Sequence, residues 1–204
     1  MALWLAARPL LLASQSKARR AMLEAAGVAI EVRPAAIDER AGEARAGLAD
    51  AGAVAVLLAR EKAKSVASAL ADPERMVLGA DQTLALGSQR FSKAADSAAA
   101  RAQLAALRGR THTLHSAVAV VQAGTVLFEH VEAAHLTMRA FSDDFLERYL
   151  DQAGDAASAS VGAYQLEGLG VQLFERVEGD HFTVLGLPLL PLLLWLRQSN
   201  LLLA

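Results

Sequence analysis

Two serines and two arginines fall within the short run Leu11-Leu12-Ala13-Ser14-Gln15-Ser16-Lys17-Ala18-Arg19-Arg20. An apolar strand that runs into hydroxyls and then a basic helix start brings hydroxyls, free backbone N–H groups and guanidiniums to one helix N-terminus, which is chemistry for holding phosphate. Ser14 and Ser16 can cap the helix, while Arg19, one turn in, points back along the same face. The planar guanidinium of arginine matches two phosphate oxygens in a way a flexible ammonium does not. The same residues would equally build an ordinary capped surface helix with solvated arginines.

Three further groups could complete a phosphate site. Gly79-Ala80-Asp81 puts a carboxylate at the carboxyl end of a predicted buried strand, where open α/β sheets form their ligand crevice. Such an aspartate can hold Mg²⁺ or Mn²⁺, position a water, or simply cap a turn. Asp38-Glu39 resembles it in kind, because hard cations on triphosphates are held by one or two carboxylates; alone, the pair also reads as a solvated loop. Lys62 and Lys93 could neutralise a polyphosphate or face solvent. Glu167, inside the glycine-dense Tyr164-Gln165-Leu166-Glu167-Gly168-Leu169-Gly170, can accept two hydrogen bonds side by side, as a guanine edge would offer, or sit in a plain loop. The histidines form no metal set: His112 and His115, three apart on a predicted strand, face opposite ways, as do His130 and His135, and His181 reads as a loop residue.

The bulk properties narrow the ligand. With 204 residues and 54% hydrophobic content the chain can bury a full core as one domain or two fused lobes. A net charge of −2 supplies no broad positive field for a nucleic-acid backbone, so the expected ligand is a small phosphate compound. The chain has no cysteine, which excludes disulfides, thiolate metal sites and a cysteine nucleophile and fits a cytoplasmic location. Phe182 to Leu196 is uncharged but short of a membrane span and carries Pro188 and Pro191, so it reads as a buried helix or an oligomer interface. Met1 to Ala7 lacks a basic start and reads as a lead-in to the first strand.

The elements that must position these residues alternate. Strands are expected over Leu10–Ala13, Val28–Arg33, Met76–Leu78, Thr111–Gln122, Thr125–Met138 and Val171–Val177; helices over Lys17–Ala26, Leu48–Leu70, from a cap at Asp96 or Ser97 to Leu107, from a Ser142 cap to about Gln152, and Leu187–Arg197. Asp38 and Glu39 fall in a connection, Gly87-Ser88 and Ala123-Gly124 in hairpin turns, and Gly154 to Ser160 in a small-residue loop. This pattern is an α/β protein with a mixed sheet. Neither G-x-x-x-x-G-K-[ST] nor a G-x-G-x-x-G after a strand occurs, so a nucleotide site must be built otherwise.

Taken together, Leu12-Ala13-Ser14-x-Ser16-x-x-Arg19-Arg20, Ile37-Asp38-Glu39, Glu61-Lys62-Ala63, Gly79-Ala80-Asp81, Gly109-Arg110-Thr111-His112 and Gly186-Leu187-Pro188-Leu189 resemble, in order and spacing from about Leu10 to Arg197, the Maf-like nucleoside triphosphate pyrophosphatases, also called septum formation inhibitors. The resemblance implies one Maf-like domain over residues 1–204, an elongated mixed β-sheet flanked by helices in two lobes with a central cleft, and commonly a homodimer; the acidic balance, scarce aromatics and short apolar stretches lead to an expectation of no nucleic-acid or membrane partner. It implies divalent-metal-dependent (Mg²⁺, Mn²⁺ or Co²⁺) cleavage of a nucleoside triphosphate to monophosphate and pyrophosphate. Asp81 would activate water, Glu39 and Asp81 would hold the metal, and Ser14, Ser16, Arg19, Arg20, Lys62 and Lys93 would bind the substrate. Gln82 and Glu167 resemble the subgroup acting on 7-methyl-GTP, whereas Ala18 stands where the subgroups place an aromatic residue or an arginine, and Lys17 and Ala94 replace family prolines. The older family name also carries another expectation: a non-catalytic nucleotide-binding regulator of cell division.

Overall fold

The computed structural model describes residues 3–155, 157 and 160–204. Its seven strands are β1 (Leu10–Leu12), β2 (Ile30–Val32), β3 (Val77–Leu86), β4 (Gln89–Phe91), β5 (Thr111–Gln122), β6 (Thr125–Met138) and β7 (Phe174–Glu178). The helices are α1 (Lys17–Ala25), α2 (Glu39–Ala46), α3 (Ala51–Ser68), α4 (Ser97–Leu107), α5 (Asp143–Ala153), α6 (His181–Val184) and α7 (Leu189–Gln198). The strands form one mixed sheet in the order β2-β1-β3-β5-β6-β7, with β4 paired to β3. β1 runs parallel to β2 and β3; β3 with β4 and β6 with β7 are antiparallel.

The chain divides into two compact units, one of residues 1–82, 115–132 and 181–204 and one of residues 83–114 and 133–180. In the first, strand alternation sorts side chains onto two faces. Leu10, Leu12, Leu78 and Ala80 join Met22 and Leu23 of α1 and Leu189, Leu192, Leu193 and Leu196 of α7 in one buried cluster. Leu11, Ala13 and Val77 turn the other way, against Ala63 and Val66 of α3. In the second unit His112, Tyr164 and Phe174 pack as an aromatic group, and Phe141, Phe145 and Tyr149 form a second run of rings.

Several expected elements take a different form. Asp38 and Glu39 open a helix: the Asp38 carboxylate caps α2 by accepting from Ala41 N at 3.0 Å, Glu39 lies in the acid-favouring first turn, and Gly47, in the left-handed region, ends it. That stop delays α3 to Ala51, behind its own Asp50 cap. β3 runs ten residues, so Asp81 stands mid-strand instead of at a strand end. The expected strand from Val171 begins as a 3₁₀ turn over Leu169–Leu173 and becomes extended only at Phe174. His181 starts α6 rather than lying in a loop. The Gly154–Ser160 segment lies partly outside the described residues. The Ala123-Gly124 turn forms as expected, both residues having positive φ, as a two-residue hairpin with right-twisted strands requires. In α7 Leu190 and Leu194 are exposed while four other leucines are buried, so the helix has one buried face. Among the described residues no helix is long and apolar enough to cross a membrane.

Candidate active site

Gly79 decides where the site can form. A Cβ at this position would collide with the Ala59 carbonyl oxygen and lie 2.8 Å from the Ala63 amide nitrogen, so α3 lies backbone-close on β3 because residue 79 has no side chain. Two residues further along β3, Asp81 projects from the same face. Lys62, next to Ala63, meets it there: Lys62 Nζ donates to Asp81 Oδ1 at 2.5 Å and lies 2.8 Å from Glu39 Oε1 at the start of α2. The Lys62 and Asp81 side chains are 13% and 9% exposed and Glu39 is 49% exposed, so one ammonium links a buried carboxylate to a half-exposed one.

Arg19 completes the group. Its Nε donates to Gly186 O at 2.8 Å, and its Nη1 to Ala80 O at 2.8 Å and to Ser14 Oγ at 3.2 Å. The guanidinium is thus pinned on two sides, with Nη2 left as the nitrogen that no described residue engages. Ser16 is the true N-cap of α1, accepting from Arg19 N, while Ser14 accepts from Ser16 N and from Arg19. Burial lowers the Arg19 pKa, and the carboxylates of Asp81 and Glu39 oppose that effect. Burial likewise pushes the Asp81 carboxyl above the ordinary carboxylate range, while the charges of Lys62 and Arg19 pull it back.

The remaining candidates divide. Arg20 is exposed and paired with Glu24 one turn on, outside the Arg19 network. Ala18 lies half-buried on α1. Gln82 points to the opposite face from Asp81, where its Nε2 donates to Ser116 Oγ at 2.9 Å, Val184 O at 3.1 Å and Thr183 O at 3.2 Å. Backbone carbonyls only accept, which fixes the amide with its NH₂ inward and leaves Oε1 as its unspent polar atom. Ser116, itself donating to Thr183 O at 2.7 Å, is not among the sequence candidates; its one signal is a hydroxyl at the head of the apolar run Ala117 to Val121. Lys93 and Glu167 belong to the second unit: Lys93 is exposed and bridges Val161, and Glu167 is exposed in a turn.

For a cation, Glu39 and Asp81 are the fitting pair. Their oxygens already converge on one positive charge, and hard carboxylate oxygens suit Mg²⁺ or Mn²⁺ that takes its other ligands from water and phosphate. No cluster of three or more His, Cys, Asp or Glu occurs among the described residues, so the protein would supply only part of the coordination shell.

The family model described as Maf-like protein matches residues 9–199. The chain belongs to the Maf family. Among the relatives of this chain, a nucleoside triphosphate pyrophosphatase of Nitrobacter winogradskyi is 58% identical over 99% of both chains. A 7-methyl-GTP pyrophosphatase of Rhizobium etli is 53% identical over 93% of this chain and 95% of its own. A solved nucleoside-triphosphatase (dITP/XTP pyrophosphatase) of Mycobacterium abscessus shares 18% identity at a TM-score of 0.42, covering 95% of this chain and 96% of its own. Ser14, Arg19, Glu39, Lys62 and Asp81 all fall in the first unit.

Proposed function

We propose that this chain is a nucleoside triphosphate pyrophosphatase that needs a divalent cation and prefers 7-methyl-GTP. The observation that carries the reading is the convergence of Asp81, Glu39 and Lys62, with Arg19 in electrostatic reach of Asp81. The named activities of the relatives support it.

In the reaction, water attacks the α-phosphorus, the bond from that phosphorus to the bridging oxygen toward the β-phosphate breaks, and nucleoside monophosphate and pyrophosphate leave. Asp81, its proton affinity raised by burial, takes the proton from the attacking water. Lys62 and the free Nη2 of Arg19 neutralise charge on the triphosphate, and the Ser14 hydroxyl holds Arg19 in place. A divalent ion held by Glu39 and Asp81 would supply Lewis acidity and the largest single countercharge. The work of the chain is positioning and charge neutralisation, as phosphoryl transfer demands.

The base preference rests on polarity. Gln82 Oε1 can only accept, and an acceptor suits the N–H donors of a guanine edge. The experiment is a panel of standard and methylated nucleoside triphosphates assayed for pyrophosphate with Mg²⁺, Mn²⁺ and Co²⁺. Equimolar monophosphate and pyrophosphate, highest for 7-methyl-GTP and abolished by EDTA, is expected. Silence across the panel, or release of orthophosphate instead, overturns the reading.

A further inference from the structure

Lys62 occupies the position that metal binding by Glu39 and Asp81 would give to the cation. Its Nζ is 2.8 Å from Glu39 Oε1 and 2.5 Å from Asp81 Oδ1, the two oxygens expected to ligate a divalent ion. A divalent cation drawn to those same oxygens would lie within a few ångströms of the ammonium and be repelled by it, so Lys62 and the metal compete for them.

The anchoring of the other groups shows which one moves. Arg19 is fixed by Gly186 O, Ala80 O and Ser14 Oγ and cannot swing. Lys62 hangs on a flexible four-carbon stem and makes no other polar contact among the described residues. Displaced, its ammonium would be a mostly buried charge without a partner, which is costly, unless an anion arrives with the metal. A triphosphate is such an anion.

We propose that Lys62 is a built-in counter-ion that keeps the Glu39–Asp81 pair closed to divalent metal until a triphosphate takes the lysine away, making metal and nucleotide binding mutually dependent. This gate rests on the metal-dependent reading of the site. It predicts weak metal binding by the free protein, and reciprocity: nucleotide strengthens metal binding by the same factor as metal strengthens nucleotide binding.

The test measures binding, not turnover. Mn²⁺ association is followed by loss of its free EPR signal in wild type and in Lys62→Met, with and without the non-cleavable α,β-methylene analogue of GTP; affinity of the analogue is measured with and without Mn²⁺. Wild type should bind Mn²⁺ at least tenfold more tightly with the analogue, Lys62→Met should bind it at least tenfold more tightly than wild type with no nucleotide, and the coupling factor should shrink in the variant. Tight Mn²⁺ binding by nucleotide-free wild type, unchanged by the analogue, overturns the proposal even if Lys62→Met does not fold. Glu39→Gln provides the second variant: leaving Lys62 on Asp81 alone, it should weaken Mn²⁺ binding in the presence of analogue. If no form binds Mn²⁺ under any condition while the analogue still binds, the metal assignment itself is lost, a result distinct from failure of the lysine gate.

Discussion

The Lys62 ammonium donates to Asp81 Oδ1 at 2.5 Å, from a helix that approaches the strand closely enough only because residue 79 is glycine. That contact gives the mostly buried Asp81 carboxylate a counter-ion and explains how a charge survives mid-strand on the face that Val77 packs against Ala63 and Val66 of α3. It also ties the fold to the chemistry, since the close packing that buries Asp81 raises its proton affinity.

Replacing Asp81 by Asn keeps the side-chain volume and a hydrogen-bond acceptor for Lys62 but removes the proton acceptor. Pyrophosphate release should fall by roughly 10²- to 10⁴-fold, the usual contribution of a positioned general base. Lys62 retains Glu39 as an ion-pair partner, so the fold should survive. Steady-state assay beside a thermal melt checks both parts; near-normal turnover would remove Asp81 from its catalytic role.

The raised proton affinity of Asp81 sets the acid side of the pH profile. Because burial moves this carboxyl up from 3.8, a larger fraction is protonated and inactive at mildly acid pH than for an exposed aspartate. kcat/KM should therefore rise with pH along a limb whose midpoint lies above 3.8, and the residual activity of Asp81→Asn should lack that limb. A profile in which both proteins share one acid limb would assign it elsewhere.

Much of this arrangement is legible in the sequence, because strong local signals mark it. The Ala123-Gly124 turn, the Asp96 and Ser142 caps and the alternating leucines of β1 all act within a few residues. The site residues Ser14, Arg19, Lys62 and Asp81 are legible as types but not as partners, since their contacts span up to 167 residues of chain, as between Arg19 and Gly186. Glu39 reads as a loop residue because α2 is short and mostly polar, with no apolar stripe to announce it. The length of β3 is hidden because Gly79-Ala80-Asp81 looks like a turn, and only the packing of α3 onto Gly79 reveals why extended backbone wins. The clamp on Gln82 has no local signature: two of its three acceptors are backbone carbonyls from another part of the chain.

Gly79→Ala tests that packing directly. The added methyl meets backbone on both sides, at Ala59 O and Ala63 N, and backbone cannot rotate away as a side chain would. Helix α3 must shift, at a cost of about 1–3 kcal/mol or more for an overpacked core, and Lys62 moves with it. Urea unfolding should show the loss of stability, and the activity remaining in the folded fraction should fall as well. A variant as stable and active as wild type would mean that α3 does not hold Lys62 against Asp81.

In the second unit, His112 gives a stability signature independent of catalysis. It is 1% exposed, its Nε2 is 2.7 Å from the Tyr164 hydroxyl, and its buried Nδ1 has no partner among the described residues; burial lowers its pKa from 6.5 to about 4. A folded pKa below the unfolded one means that the unfolded chain takes up the proton first as pH falls. The associated stability is fully present above pH 6.5 and is lost as pH falls toward about 4. It amounts to roughly 3 kcal/mol, since a tenfold difference in proton affinity between the folded and unfolded chains is worth about 1.36 kcal/mol. Urea titrations at several pH values should show wild type losing stability across this window by about that amount more than His112→Gln, whose side chain takes up no proton there. Parallel curves for the two proteins would show that His112 is not held neutral in the folded state.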